Sequence, residues 1–466
     1  MNCSRTKQTR RKEMQMEKRT DMRAEALDTL IDIERNKKLS HIAIGETLMR
    51  HQFEKKSDRA FYTRLCEGVT ERKIYLDYIL DTYSKTPMRK CKPLIRSLLR
   101  MGAYQILFMD VRDAAACSEA VSLAKKRGFA RLSGFVNGVL RTIVREKDRL
   151  PVPDKKEFDK YLSITYSVPE WLSRLMIDQY GAQTAEMMFA SFLEARPLTI
   201  RTNLSVITPE ALEEELKKEG VSVERGTYLP YALTISHLNY LGKLAAFRQG
   251  KFAVQDESSQ LAVEVADINE GDFVLDVCAA PGGKTFHAAD RLHGTGKVLS
   301  RDLTEYKTDL IEENKDRMCY ENVEVQQWDA LVEDESLLES VDVLLADLPC
   351  SGLGIMGRKN DIKYQMTQQQ LSELAQLQRN ILSVIWKYVK PGGEMIFSTC
   401  TLNRGENIEN IRWIEENTPM RLVSIEDYLP ETLKGRTGSQ GYLQLIPGKD
   451  SCDGFFISKF ERPEAR

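Results

Sequence analysis

Residues 273–285 read Phe273-Val-Leu-Asp-Val-Cys-Ala-Ala-Pro-Gly-Gly-Lys-Thr285. A short apolar run ends in an acid and a cluster of small residues, the pattern of a buried strand that stops at a turn. Small residues let a backbone approach a ligand closely, and a helix starting after them presents free N–H groups. The same alternation continues on either side. Strands are expected at 273–278, 297–302, 322–328, 341–347, 394–400, 421–425 and 453–460, and helices at 256–268, 306–319, 367–390 and 406–416. Alternation of this length predicts a doubly wound, Rossmann-like α/β domain over residues 256–466. In such sheets the chemistry lies beyond the carboxyl ends of the strands.

Three ligands compete for the loop after Phe273. A phosphate-binding P-loop requires glycine at the position held by Cys278, and the G-x-G-x-x-G dinucleotide pattern is also absent. S-adenosylmethionine fits better because of the acids that follow. Asp302 ends the second expected strand, 26 residues after Asp276, where it suits the ribose hydroxyls. Asp329 ends the third and suits an adenine amino group; Asp347 ends the fourth. Successive carboxylates repel a pyrophosphate but tolerate an uncharged nucleoside bearing a sulfonium.

Two cysteines, Cys350 and Cys400, stand 50 residues apart at the ends of apolar runs. One run is Val341-Asp-Val-Leu-Leu-Ala-Asp-Leu-Pro-Cys350-Ser-Gly-Leu-Gly354; the other is Glu394-Met-Ile-Phe-Ser-Thr-Cys400-Thr401. Both runs read as buried parallel strands. Thiols at such ends suit covalent catalysis on a pyrimidine. A thiolate adds to carbon six, carbon five becomes nucleophilic and takes a methyl group, a base removes the carbon-five proton, and the thiolate leaves. Asp347, if protonated, is a candidate donor to the N3 edge of the ring, and the second thiol is a candidate for proton removal and release. Cys66, Cys91, Cys117 and Cys319 are expected to be small buried apolar residues.

At 466 residues the chain has room for two or three domains. No stretch reaches the ~20 apolar residues of a membrane helix, and the charged N-terminus is not a secretory signal. Nine scattered cysteines without C-x-x-C spacing point to a reducing, cytoplasmic setting, and five histidines form no metal cluster. Net charge is −2, but residues 1–23 carry eight Lys/Arg against three acids. Residues 1–22 are therefore a basic tail, suited to phosphates or simply solvated. Residues 23–150 show helical periodicity, with a break between Pro87 and Pro93. Arg96, Arg100, Lys125, Lys126, Arg127, Arg131, Arg141 and Arg145 are interleaved there, as a solvated face or an RNA surface. Pro151-Val-Pro153 reads as a linker. Residues 155–255 mix strands, at 198–203 and 231–236, with a helix at 209–220, as a small α+β module.

Asp276-x-Cys-Ala-Ala-Pro-Gly-Gly-Lys-Thr285, Asp347-x-Pro-Cys-Ser-Gly352 and Ser398-Thr-Cys-Thr401, in this order, resemble the Fmu/Sun family of RNA cytosine-5 methyltransferases. Asp58-Arg-Ala-Phe61, Leu99-Arg-Met-Gly-Ala-Tyr-Gln105 and Phe135-Val-Asn-Gly-Val-Leu-Arg141 resemble the helical RNA-binding domain of the antitermination factor NusB. Gly250–Gln260, Gln444–Gly448 and Asp453–Phe456 resemble further family segments, so the likeness spans nearly the whole chain. The resemblance implies S-adenosylmethionine as cofactor and small-subunit ribosomal RNA as substrate. From the residue pattern, neither a membrane span nor a metal is expected, and no obligate protein partner is inferred. It makes Cys400 the nucleophile and Cys350 the releasing thiol, with Asp347 and Lys284 beside them. Cofactor contacts carry over to Cys278, Ala279, Ala280, Pro281, Gly282, Gly283, Lys284, Asp302, Asp329 and Asp347. Two departures are Lys359-Asn360, where proline commonly precedes the aspartate, and Thr401 in place of serine. Two rivals remain: an RNA-binding protein with a degenerate methyltransferase fold, and a DNA or protein methyltransferase, for which Cys350 would be the essential thiol.

Overall fold

Among the described residues, seven helices build most of the N-terminal region: α1 (Met22–Asn36), α2 (Ser40–Arg50), α3 (Lys56–Glu71), α4 (Lys73–Tyr83), α5 (Pro93–Phe108), α6 (Asp113–Lys126) and α7 (Ser133–Glu146). The computed structural model describes residues 20–464 except residue 239, so nearly all of the expected basic tail lies outside the described residues. Local signals set the helix starts. Asp21 accepts from the Arg23 and Ala24 amides at the head of α1, and Pro93 opens α5. Leu27, Leu65, Leu76, Leu98, Leu99, Tyr104 and Leu140 are fully buried between the helices. Gly68 and Gly102 allow the close packing. A Cβ at Gly68 would meet the Tyr104 ring at 1.9 Å, and one at Gly102 would meet Leu140 at 2.5 Å.

The chain divides into two compact units, one of residues up to Glu170 with Lys359–Asp361, the other of Trp171–Arg358 and Ile362–Arg466. Helix α8 (Phe158–Thr165) ends the first unit, and α9 (Glu170–Tyr180) and α10 (Ala182–Ser191) follow. The second unit continues with a four-stranded antiparallel sheet of β1 (Leu198–Thr202), β2 (Ser222–Arg225), β3 (Ala232–Ser236) and β4 (Phe252–Val254), in the order β2-β3-β1-β4. Helix α11 (Pro209–Lys218), capped by Thr208, covers it with Leu212 and Leu216.

The remainder is a mixed sheet. Its parallel strands are β5 (Phe273–Asp276), β6 (Lys297–Asp302), β7 (Val323–Gln327), β8 (Val341–Asp347) and β9 (Val389–Thr399). Antiparallel to β9 runs β12 (Phe455–Glu461), which pairs with β10 (Arg421–Leu422) and β11 (Tyr442–Leu445). The order β10-β12-β9-β8-β5-β6-β7 makes the chain run outward from β5 on one side and return beyond it with β8. The switch point therefore lies between β5 and β8, where open α/β sheets bind ligands. The helices are α12 (Glu257–Val265), α13 (Gly283–Arg291), α14 (Glu305–Met318), α15 (Gln368–Ile385) and α16 (Ile408–Asn417). The expected doubly wound domain is present, but its edge is antiparallel, and β11 was not among the expected strands. Among the described residues no helix is long and apolar enough to cross a membrane.

Two sequence expectations change. Arg96 and Arg100 do not lie on an open basic face: Arg100 is buried and donates to both Asp77 oxygens at 2.7 Å and to Glu34 at 3.2 Å, while Arg96 pairs with Glu34 at 2.8 Å. Cys319 is exposed rather than buried, because it ends α14 in the left-handed conformation and turns its thiol toward the Asp316 carbonyl. Cys66 and Cys117 are buried, and Cys91 is partly so.

Candidate active site

Residues Asp276–Gly283 connect β5 to α13 at the switch point. Gly282 has φ 100°, a left-handed conformation that glycine adopts without a Cβ penalty. No side chain caps α13, so its first amides face outward as donors. A Cβ built on Gly283 would touch nothing nearer than 3.8 Å, which leaves open space at the helix start. The Asp276 carboxyl is buried: Oδ2 accepts from Thr285 Oγ1 at 2.8 Å, and Oδ1 has no partner. Burial pushes its pKa up to about 7, against the lowering effect of the Thr285 hydroxyl. Asp302, at the end of β6, is buried and accepts from the Ala280 amide at 3.0 Å, the Leu303 amide at 2.7 Å and Lys307 Nζ at 2.8 Å. Lys307 is 45% exposed and is the partner that can withdraw in favour of a ligand's hydroxyls. Asp329 lies two residues past β7, exposed, with Oδ1 accepting from the Leu331 amide at 3.0 Å. An open glycine cradle, an unpartnered buried carboxyl oxygen and carboxylates at the ends of β6 and β7 fit a nucleoside with a cationic sulfur.

Parallel pairing of β8 with β9 sets Asp347 opposite Ser398, and this register brings the two thiols together. Cys350 Sγ and Cys400 Sγ lie 3.3 Å apart, both partly exposed. The Cys350 thiol is held protonated well above the usual thiol range, first by the neighbouring Cys400 sulfur and then by burial. Burial, with Asp302 and Asp276 nearby, likewise pushes the Cys278 thiol up. Beside the pair, Asp347 accepts from Lys284 Nζ at 2.6 Å on one oxygen and from Ser398 Oγ at 2.8 Å on the other. Both Asp347 oxygens therefore act as acceptors here. Lys284 also donates to Ser259 at 2.9 Å and sits 5.0 Å from the Phe455 ring centre.

Sequence reading missed the groups that hold these side chains: Ser259, Ser398 and Phe455 around Lys284 and Asp347, and Glu406, Ser351 and Gln378 around the thiols. Their contacts cross 25 to 171 positions, which no local motif reports. A second acidic cluster supports the loop after Cys350. Arg358 donates to Asp453 at 2.5 Å and Asp256 at 3.0 Å, and burial raises the Asp453 pKa to about 6.

Residues 263–461 match the family described as 16S rRNA methyltransferase RsmB/F, residues 20–145 the NusB family, and residues 168–239 the RsmF/B-like ferredoxin-like domain. The chain is 35% identical to the Bacillus subtilis (strain 168) protein described as "Probable ribosomal RNA small subunit methyltransferase B", covering 96% of this chain and 99% of that protein. The chain belongs to the RsmB/F methyltransferase family. A second RsmB/F relative, the ribosomal RNA small subunit methyltransferase B of Serratia proteamaculans (strain 568), is 30% identical over 86% of this chain and 90% of its own length. The crystal structure of PH0851 superposes with a TM-score of 0.78 at 26% identity, over 94% of this chain and 98% of that one. The RsmB/F assignment makes this an S-adenosylmethionine-dependent rRNA methyltransferase with a NusB helical domain, a ferredoxin-like module and a Rossmann-like domain.

Proposed function

We propose that this methyltransferase makes 5-methylcytosine in small-subunit ribosomal RNA through a covalent bond between Cys400 and carbon six of the base. The observation that carries the reading is the 3.3 Å approach of Cys350 and Cys400 beside the Lys284–Asp347 pair. S-adenosylmethionine supplies an electrophilic methyl group. Cys278–Lys284, Asp302 and Asp329 hold the nucleoside end of the cofactor, and Asp347 faces the cytosine with Lys284 fixing its orientation. Because Asp347 accepts on both oxygens, it suits the cytosine amino edge better than it suits proton donation to N3.

The Cys400 sulfur and burial hold the Cys350 thiol protonated, and the resemblance of Ser398-Thr-Cys-Thr401 to the family motif makes Cys400 the attacking thiol. Attack forms the S–C6 bond, and carbon five takes the methyl group. Cys400 is then a thioether, so the chief cause of the raised Cys350 pKa is gone, and Cys350 gives its own proton to water before the carbon-five proton must leave. That proton passes to Cys350, the C5–H electron pair restores the C5–C6 double bond, and the S–C6 bond breaks to return the Cys400 thiolate. The target base must be unstacked to reach both groups. Residues 23–150 and 155–255 would hold the RNA backbone. Support for this comes from the exposed Lys125, Lys126, Arg127, Arg131, Arg141 and Arg145, of which Arg141 and Arg145 line a groove of about 970 Å³ between α6 and α7.

The test is transfer of labelled methyl to unmodified small-subunit rRNA by wild type, Cys400→Ala and Cys350→Ala. Wild type labels one cytosine, Cys400→Ala labels none, and Cys350→Ala leaves a protein–RNA adduct on a denaturing gel. Full transfer by Cys400→Ala, or the absence of a shifted band with Cys350→Ala, overturns the two-thiol assignment.

A further inference from the structure

Glu406 is fully buried two residues before α16, in a part of the chain that matches none of the motifs above. Its carboxylate is surrounded by donors from both cysteine loops. Oε2 accepts from the backbone N–H of Ser351, the residue after Cys350, at 2.7 Å. Oε1 accepts from the Ser351 hydroxyl at 2.6 Å and from Asn403 Nδ2 at 3.0 Å. Ser351 Oγ is in turn 2.6 Å from Thr401 Oγ1, on the residue after Cys400. The other flank of Cys350 is tied to the same group: Gln378 Nε2 donates to the Pro349 carbonyl at 2.8 Å and approaches Glu406 Oε2 at 3.4 Å. Asn410 Nδ2 holds Gln378 Oε1 at 2.6 Å. One buried carboxylate thus fixes the peptides on both sides of Cys350 and, through one hydroxyl, the peptide after Cys400.

We propose that Glu406 is a positioning residue that aims the Cys350 thiol at Cys400, and so governs release of the methylated base more than attack on it. The proposal rests on the two-thiol reading above. Two features of the site point the same way. Glu406 takes two of its hydrogen bonds from Ser351, directly after Cys350, and on the Cys400 side only one, from Asn403, three residues past Cys400; Cys400 itself is held separately. Thr399 Oγ1 bonds Asn407 at 2.6 Å, and the Cys400 carbonyl accepts from the Gly354 amide at 3.0 Å. The charge of Glu406 is also among the causes that keep Cys350 protonated. Glutamine cannot replace it silently. An amide must turn its NH2 toward either the Ser351 N–H or the Ser351 hydroxyl and Asn403 amide, so a donor faces donors.

The experiment compares full-length wild type, Cys350→Ala, Glu406→Gln and Ser351→Ala. Each is mixed once with unmodified small-subunit rRNA and labelled cofactor. Label on RNA reports attack and transfer, and the gel-shifted fraction reports stalled release. Glu406→Gln is expected to transfer label at a rate within about threefold of wild type while releasing product at least about tenfold more slowly, so that adduct accumulates as in Cys350→Ala. Ser351→Ala keeps the backbone contact and loses the hydroxyl bridge; it is expected to fall between, and it decides the matter if Glu406→Gln does not fold. Wild-type release by Glu406→Gln or, failing that variant, by Ser351→Ala, alongside a clear adduct in Cys350→Ala, overturns the proposal. So does a general loss of transfer without adduct, which marks Glu406 as support for the whole site. Absence of adduct in Cys350→Ala sinks the two-thiol reading itself, a separate outcome.

Discussion

Asp276 shows how a single residue ties the cofactor loop to pH. Its carboxyl is buried with one oxygen unpartnered, and burial carries its pKa from the ordinary 3.8 to about 7. The folded state therefore binds a proton that the unfolded chain gives up. Between those two values the folded form holds more protons, so this group's contribution to stability is full below about 3.8 and is lost as pH rises to about 7. Asp276→Asn removes the titration. Urea midpoints of wild type and variant, compared across that window, are expected to move in the variant's favour as pH rises. A difference independent of pH would refute the assignment. Lys284 shows the opposite situation, a buried cation satisfied on all sides by Asp347, Ser259 and the Phe455 ring.

Between elements, the closest approach that the site depends on is Gly354 against Gly454, just before β12. Gly354 donates to the Cys400 carbonyl and accepts from the Gly454 amide, each at 3.0 Å, so it joins the loops after β8 and β9 to the start of β12. A Cβ on Gly354 would sit 1.9 Å from the Gly454 carbonyl oxygen, and backbone on that side has no rotamer to yield. Gly354→Ala is expected to cost about 1–3 kcal/mol and to lower methyl transfer together with stability. Calorimetric melting and a single-turnover assay check both; an unchanged melting temperature would show that the loops relax freely. The antiparallel β12 that creates this contact was expected as a strand, but its direction was not legible, since strand patterning is the same whichever way a neighbour runs.

Across the second unit, one buried ion pair joins the four-stranded sheet to the catalytic sheet's helices. Arg201 on β1 is fully buried and donates to Asp290 on α13 at 2.8 Å and to Gln255 at 3.1 Å; nearby, Tyr320 donates to Asn203 at 3.0 Å. Leaving one buried charge without its partner costs about 3–5 kcal/mol, far more than an exposed pair is worth. Arg201→Leu is expected to lose stability of that size in urea titration, whereas Arg225→Leu, whose exposed pairs with Glu210 and Glu213 lie on the same module, is expected to lose under about 1 kcal/mol. Equal losses would mean that the buried pair does not lock the module.

The order of the motifs, the strand–loop–helix after Phe273, the acids at successive strand ends and the helical first domain were all readable from residue patterns, because each depends on neighbours a few positions apart. The 3.3 Å approach of Cys350 to Cys400 was not, nor was the Lys284–Asp347 pair across 63 positions. Both arise when β8 aligns with β9 so that Asp347 meets Ser398, a register fixed by which apolar faces are buried. For the same reason Arg96 and Arg100, which look like members of a basic face, turn inward to acids on other helices. Glu406 had no signature at all, since a carboxylate becomes a clamp only when packing removes water and leaves it two loops to hold. Sequence pattern determined which residue types stand at the ends of the strands; the tertiary structure decided which of them touch, because polar partners are chosen by distance in the fold and not along the chain.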